Sequence, residues 1–189
     1  MNAMPQESLS TVTEIDPPRF AHPTCVFLRA YWEEKRRGRA LPARADISPS
    51  GLKEHLGWVM MLEVLPGARD FRYRLIGTLV TQYFSSDSTG KTVMDAFAPN
   101  GEAVAKSVNA VFRKVARDRC VVRTTGDAGW LAEGMEEFEA IYLPLSDDGE
   151  TVSHILHAFV CDRDKMLMAR QIARLNGGKL MAPPPPKVA

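Results

Sequence analysis

The chain of 189 residues is poor in cysteine, in net charge and in long apolar runs, and each shortage excludes a class of protein. Cys25, Cys120 and Cys161 are odd in number, widely spaced and without a CxxC pair. Neither a disulfide scaffold nor a zinc knuckle is expected, and a reduced, cytoplasmic setting fits best. With 24 Lys and Arg against 23 Asp and Glu, the net charge of +1 gives no global electrostatic reason to bind nucleic acid or an anionic bilayer. No stretch approaches the roughly 20 apolar residues that cross a membrane, so no membrane insertion is expected. The first residues carry Glu7, Glu14 and Asp16 and lack the basic start and apolar run of a secretory signal. No internal repeat and no second domain are visible, and the expectation is one soluble domain with tails, without an attached kinase, cyclase or DNA-binding output module.

What is present divides into five stretches. Residues 1–22 are polar and interrupted by Pro5, Pro17 and Pro18, and read as a flexible arm. Residues 23–57 hold helical segments: one from Pro23 to about Arg37, with Phe27, Ala30 and Tyr31 on one face and Gly38 ending it, and a shorter one from Ser50 to Leu56. Residues 58–161 form the core. Trp58 to Leu65 and Phe71 to Ile76 read as a hairpin around the turn Pro66-Gly67-Ala68-Arg69-Asp70, and alternation places Phe71, Tyr73 and Leu75 opposite Arg72, Arg74 and Ile76. After Gly77 come a short helix from Thr78 to Phe84, a polar loop, and a helix over Ala103 to Val115 with a stripe of Val104, Val108, Val111 and Val115. Three strands follow, Cys120 to Thr125, Glu136 to Leu145 and Val152 to Cys161, the last two joined by Ser146-Asp147-Asp148-Gly149. Residues 162–176 read as a helix capped by Asp162 and ended by Asn176-Gly177-Gly178, and residues 177–189 as a Gly/Pro-rich tail.

No motif settles a chemistry. Gly90-Lys91-Thr92 resembles the end of a phosphate-binding loop, but Ser85 stands where its first glycine belongs and a helix, not a strand, precedes it. His154 and His157 lie an odd number apart on a strand, on opposite faces, so they cannot chelate one ion; a single axial ligand to haem is the remaining use. Cys161 shares a strand face with His157 but lies roughly 13 Å along it, out of hydrogen-bond reach. Ser50-Gly51-Leu52-Lys53 matches SxxK without the other elements of that enzyme class. Lys35, Arg36, Arg37, Arg39 and Arg44 form a basic run, read as helix C-terminal charge or as a contact for an acidic partner. Arg72 and Arg74, if they enter the interior, demand a carboxylate such as Glu139, either as a structural ion pair or with Arg74 and Glu139 as polar anchors in a cavity. Trp130, in the Gly126 to Gly134 loop, is either a partner contact or a cover for the sheet edge.

The run Asp70-Phe71-Arg72-Tyr73-Arg74-Leu75-Ile76-Gly77-Thr78, with Leu41-Pro42-Ala43-Arg44-Ala45-Asp46-Ile47, Thr89-Gly90, Phe138-Glu139 and Leu143-Pro144-Leu145-Ser146, resembles the bacterial PAS-domain family of the PAS_5 type over roughly Phe27 to Cys161. The resemblance implies an α+β fold: a five-stranded antiparallel sheet covered on one face by helices, with flanking N- and C-terminal helices. It implies a cavity between sheet and helices near Tyr73, Tyr83, Phe112 and Ile141, to which Arg74 and Glu139 are the candidate anchors. It also implies a stand-alone sensory or regulatory protein in bacterial signalling, binding a small ligand, a protein partner that carries the output, or both, and raises the expectation of a homodimer. The candidate partner or dimer surfaces are Tyr31 and Trp32, Trp130, and Met166, Ala169 and Ala173. A ligand-free interaction adaptor is the alternative. A haem sensor or an enzyme is further off, and no catalytic residue, metal ligand or cofactor is expected.

Overall fold

The computed structural model describes residues 12–17, 19–84, 87–127 and 137–161, with Tyr83 described in its backbone only. Six antiparallel strands form one sheet in the order β1-β4-β5-β6-β2-β3. They are β1 (Val12–Ile15), β2 (Val59–Val64), β3 (Phe71–Ile76), β4 (Val122–Asp127), β5 (Glu137–Leu145) and β6 (His154–Cys161). The helices are α1 (Pro23–Arg36), α2 (Thr78–Tyr83), α3 (Val93–Phe97) and α4 (Glu102–Asp118).

The expected five strands are there, and a sixth joins them at the edge of β4. The arm expected over residues 1–22 therefore contains β1, paired from Val12↔Thr125 to Ile15↔Val122. Val12, Thr13 and Ile15 are β-branched and suit a pleated edge, and Glu14 meets Arg123 across the pair. Asp16 closes the turn that follows, its N–H donating to Val121 O at 2.7 Å and its Oδ1 accepting from Val121 N–H at 3.1 Å.

Strand alternation gives the sheet two faces. Met60, Leu62, Tyr73, Thr124, Phe138, Tyr142, His157 and Phe159 share one of them by register, and α4 lies against it through Phe112, which meets the rings of Tyr142 and His157. The flanking helix α1 covers the opposite face, with the Trp32 indole N–H donating to Pro144 O at 2.8 Å. Sandwiched between α1 and α4, β5 and β6 are buried continuously over residues 138–145 and 155–161. That is why both read as near-unbroken apolar runs.

Helix α1 starts where His22 accepts from Thr24 N–H and Pro23 occupies its first turn; it stops at Arg37, whose φ of 50° is left-handed. Helix α4 buries Ala105, Asn109, Phe112 and Val115. Asp70 ties it to the β2–β3 turn, accepting from Asn109 Nδ2 at 2.8 Å.

Two local readings are corrected. The helix expected over Ser50 to Leu56 is a pair of 3-10 turns, Ser50–Leu52 and Leu56–Trp58, because Gly51 and Gly57 are poor helix formers and Gly51 sits against the Tyr31 ring. Within β3 the alternation breaks: Leu62 faces Tyr73, but Met61 faces Leu75, so Arg74 is a bulged extra residue. Leu75 consequently turns outward, 40% exposed, and Ile76 takes the face of Tyr73.

Candidate functional site

Between α3, α4 and the inner sheet face lies a cavity of about 270 Å³. Each wall follows from an alternation. The sheet supplies Met60, Tyr73, Thr124, Phe138, Tyr142, His157 and Phe159, and the α4 turns supply Val104, Ser107, Val108, Val111 and Phe112. Phe84, just after α2, Phe97 of α3 and Thr13 of β1 complete the lining.

The walls are aromatic and interlocked. Tyr142 stacks on His157 at 4.3 Å, Phe112 stands edge-on to both at 5.1 and 5.4 Å, and Phe138 stacks on Phe159 at 4.9 Å. Among the described residues, none that lines the cavity is Asp, Glu, Lys or Arg. Burial also keeps the titratable ones neutral. It drives the Tyr73 phenol far above its ordinary range, pushes Tyr142 up to about 12, and lowers His157 to about 4. His157 Nδ1 lies 2.8 Å from Ile141 O, and since a carbonyl only accepts, Nδ1 carries the proton and Nε2 a lone pair. Neither Nε2 nor the Tyr73 hydroxyl has a hydrogen-bond partner among the described residues, whereas the Tyr142 hydroxyl sits 3.4 Å from Thr124 Oγ1.

Of the residues expected at the cavity, Tyr73 and Phe112 line it. Tyr83 belongs to α2, its side chain outside the described residues. Glu139 and Ile141 do not reach the cavity: their parity along β5 is opposite to that of Tyr142, which places them on the α1 face. Arg74 is exposed at the bulge, 3.7 Å from Glu63. Glu139 is the structural ion pair, but with Arg123 in place of Arg72 or Arg74. It accepts from Arg123 Nε, from Ala21 N–H at 3.0 Å and from His22 N–H at 2.6 Å, while Arg123 also holds Glu14. Although burial opposes ionisation, these donors outweigh it and hold the Glu139 carboxyl below its usual range.

The partner-surface residues fare similarly. Tyr31 and Trp32 are buried at 7% and 4% exposure inside the chain's own fold, the Tyr31 hydroxyl accepting from Ser48 N–H. Trp130, Met166, Ala169 and Ala173 lie outside the described residues. Gly90-Lys91-Thr92 straps β3, Gly90 N–H donating to Tyr73 O and Lys91 O accepting from Tyr73 N–H, before Thr92 caps α3. Tyr142, His157, Phe138 and Phe159 were missed as cavity residues. Their shared parity with one another was the available signal.

The family model described as a PAS domain matches residues 20–180. The chain is similar to the solved structure of the PAS domain from Bordetella pertussis BvgS, at 16% identity over 66% of this chain and 90% of that one, with a TM-score of 0.44. No curated protein matches it.

Proposed function

The chain belongs to the PAS-domain family, whose domains are generally sensory, and on that premise we propose that it works by binding a small uncharged molecule in the aromatic cavity, without chemistry of its own. The observation that carries this reading is a space of about 270 Å³ walled by rings, with a few polar groups and no charged side chain among the described residues. An engineered apolar cavity of about 150 Å³ holds benzene, so by proportion this one suits a ligand of roughly ten non-hydrogen atoms. A tetrapyrrole is several times larger, which argues against haem on His157.

Occupancy acts by favouring one arrangement of the elements around the cavity over another, and a protein partner reads the difference. Family membership supports a second copy of the chain as one such partner. Trp130, Met166, Ala169 and Ala173 are proposed for that surface on their sequence pattern. No helix among the described residues is long and apolar enough to cross a membrane, and we place the protein in the cytoplasm on its cysteine usage.

Native mass spectrometry on protein from unsupplemented cells, with an absorbance spectrum of the same sample, tests the reading. A stoichiometric small mass supports it. Bare protein that takes up no small aromatic compound but captures a regulator replaces it with the adaptor reading, and a visible absorbance band replaces it with a pigment sensor.

A further inference from the structure

We propose that the cavity selects a neutral aromatic ligand carrying a hydroxyl group, which accepts from the Tyr73 hydroxyl and donates to His157 Nε2. This rests on the reading of the cavity as a ligand site and narrows it to a chemical class.

Two polar groups of the cavity wall have no hydrogen bond within the described residues. Tyr73 and His157 are each 5% exposed, both line the cavity, and neither the phenol nor Nε2 is bonded to a described residue. Neither atom is among the fully buried unpaired ones, so both are open to the cavity; a ligand that fills it takes away their water, and one that bonds both is favoured over one of the same shape that bonds neither. The Nδ1–H of His157 is committed to Ile141 O, which fixes Nε2 as an acceptor that calls for a donor. The Tyr73 phenol, with its proton held by burial, offers a donor that calls for an acceptor.

A single hydroxyl is the smallest group that is donor and acceptor at once. A carboxylate only accepts, leaves Nε2 unmet, and brings a charge into a wall whose described residues include no cation to pair it. An ammonium only donates and is equally unpaired. A bare hydrocarbon fills the space but leaves both groups orphaned. The surrounding rings of Phe112, Phe138, Tyr142 and Phe159 favour a flat aromatic body.

The test titrates the full chain at pH 7 with 4-ethylphenol, ethylbenzene and 4-methylbenzoate, all near the size the cavity admits, by calorimetry or chemical-shift perturbation. The expected result is that 4-ethylphenol binds at least about tenfold tighter than ethylbenzene, and that 4-methylbenzoate binds weakest. In Tyr73→Phe and His157→Phe the preference for the phenol over ethylbenzene narrows severalfold. A cooperative melt in those variants shows that the fold is intact. Equal affinity of the wild type for the phenol and the hydrocarbon overturns the hydroxyl inference while leaving the cavity reading standing. Failure of all three compounds to bind overturns both.

Discussion

His157 and His55 are held neutral by burial, each lowered to about 4 from an ordinary 6.5. In both, the folded value lies below the unfolded one, so as pH falls the unfolded chain takes up its proton first. Their contribution is fully present above about pH 6.5 and is lost as the pH drops toward 4, at up to about 3 kcal/mol per group. Melting temperature should therefore fall between pH 7 and pH 4.5, and His157→Phe should shallow that slope by about one proton. An unaltered slope in the variant would show that His157 is not the buried neutral group. Glu139 carries a second prediction. Its low carboxyl value stabilises the fold above the ordinary carboxylate range and is lost as the pH falls through the depressed one. Glu139→Gln removes the charge that Arg123 and two backbone N–H groups face, and should cost about 1–3 kcal/mol in urea denaturation. Because Glu139 lies on the α1 face, 4-ethylphenol affinity should stay within about twofold of wild type once the variant is folded. A large loss of affinity without loss of stability would restore Glu139 as a cavity anchor.

The junction of β3 and α2 is tightly fitted. A Cβ on Gly77 would lie 2.3 Å from Gly57 O and 2.4 Å from Leu56 O, and Gly77 N–H donates to Val59 O at 2.8 Å. With φ at −66° the glycine is needed for close approach and not for its conformational range. Gly77→Ala must push backbone against backbone, and about 3 kcal/mol or more of destabilisation is expected by urea midpoint; a loss under about 0.5 kcal/mol would mean that the two segments part easily. The same junction shows what a linear reading captures. The β2–β3 hairpin and α4 were legible because their cues are local: a turn-rich Pro66 to Asp70, and valines at three- and four-residue spacing. The bulge at Arg74 was not, since nothing in Arg-Tyr-Arg-Leu marks which residue the partner strand will skip, and one skipped residue sends Leu75 outward. Strand β1 was hidden for another reason. Four residues pair there because β4 offers an open edge and Arg123 sits opposite Glu14, more than 100 positions along the chain. Tyr31 and Trp32 looked like a surface for others because the sequence does not say that α1 docks on the second face of its own sheet.

At the scale of the whole molecule, the N-terminal stretch connects the two faces. Thr13 of β1 lines the cavity, while its neighbour Glu14 turns to the other face and meets Arg123. Arg123 meets Glu139, and Glu139 accepts from Ala21 and His22 N–H where α1 begins. A ligand that orders Thr13 therefore acts on a strand whose opposite side is tied to the start of α1. The chain of ion pairs and hydrogen bonds is continuous, and β1, a four-residue edge strand paired on one side only, is a link on which a small binding energy can act. Amide hydrogen exchange with and without saturating 4-ethylphenol measures this. The expected result is slowed exchange in α4, which lines the cavity directly, and in β1 and the first turn of α1, with no change at Asp147 to Thr151, which lie outside the cavity wall. Arg123→Ala cuts the middle of the chain of contacts while leaving every cavity residue in place. In that variant the protection of α4 should persist and that of the α1 start should be lost, with affinity within about threefold of wild type. Protection that reaches α1 equally well without Arg123 would show that the two faces communicate through the shared β5–β6 core, and not through the Glu14–Arg123–Glu139 cluster.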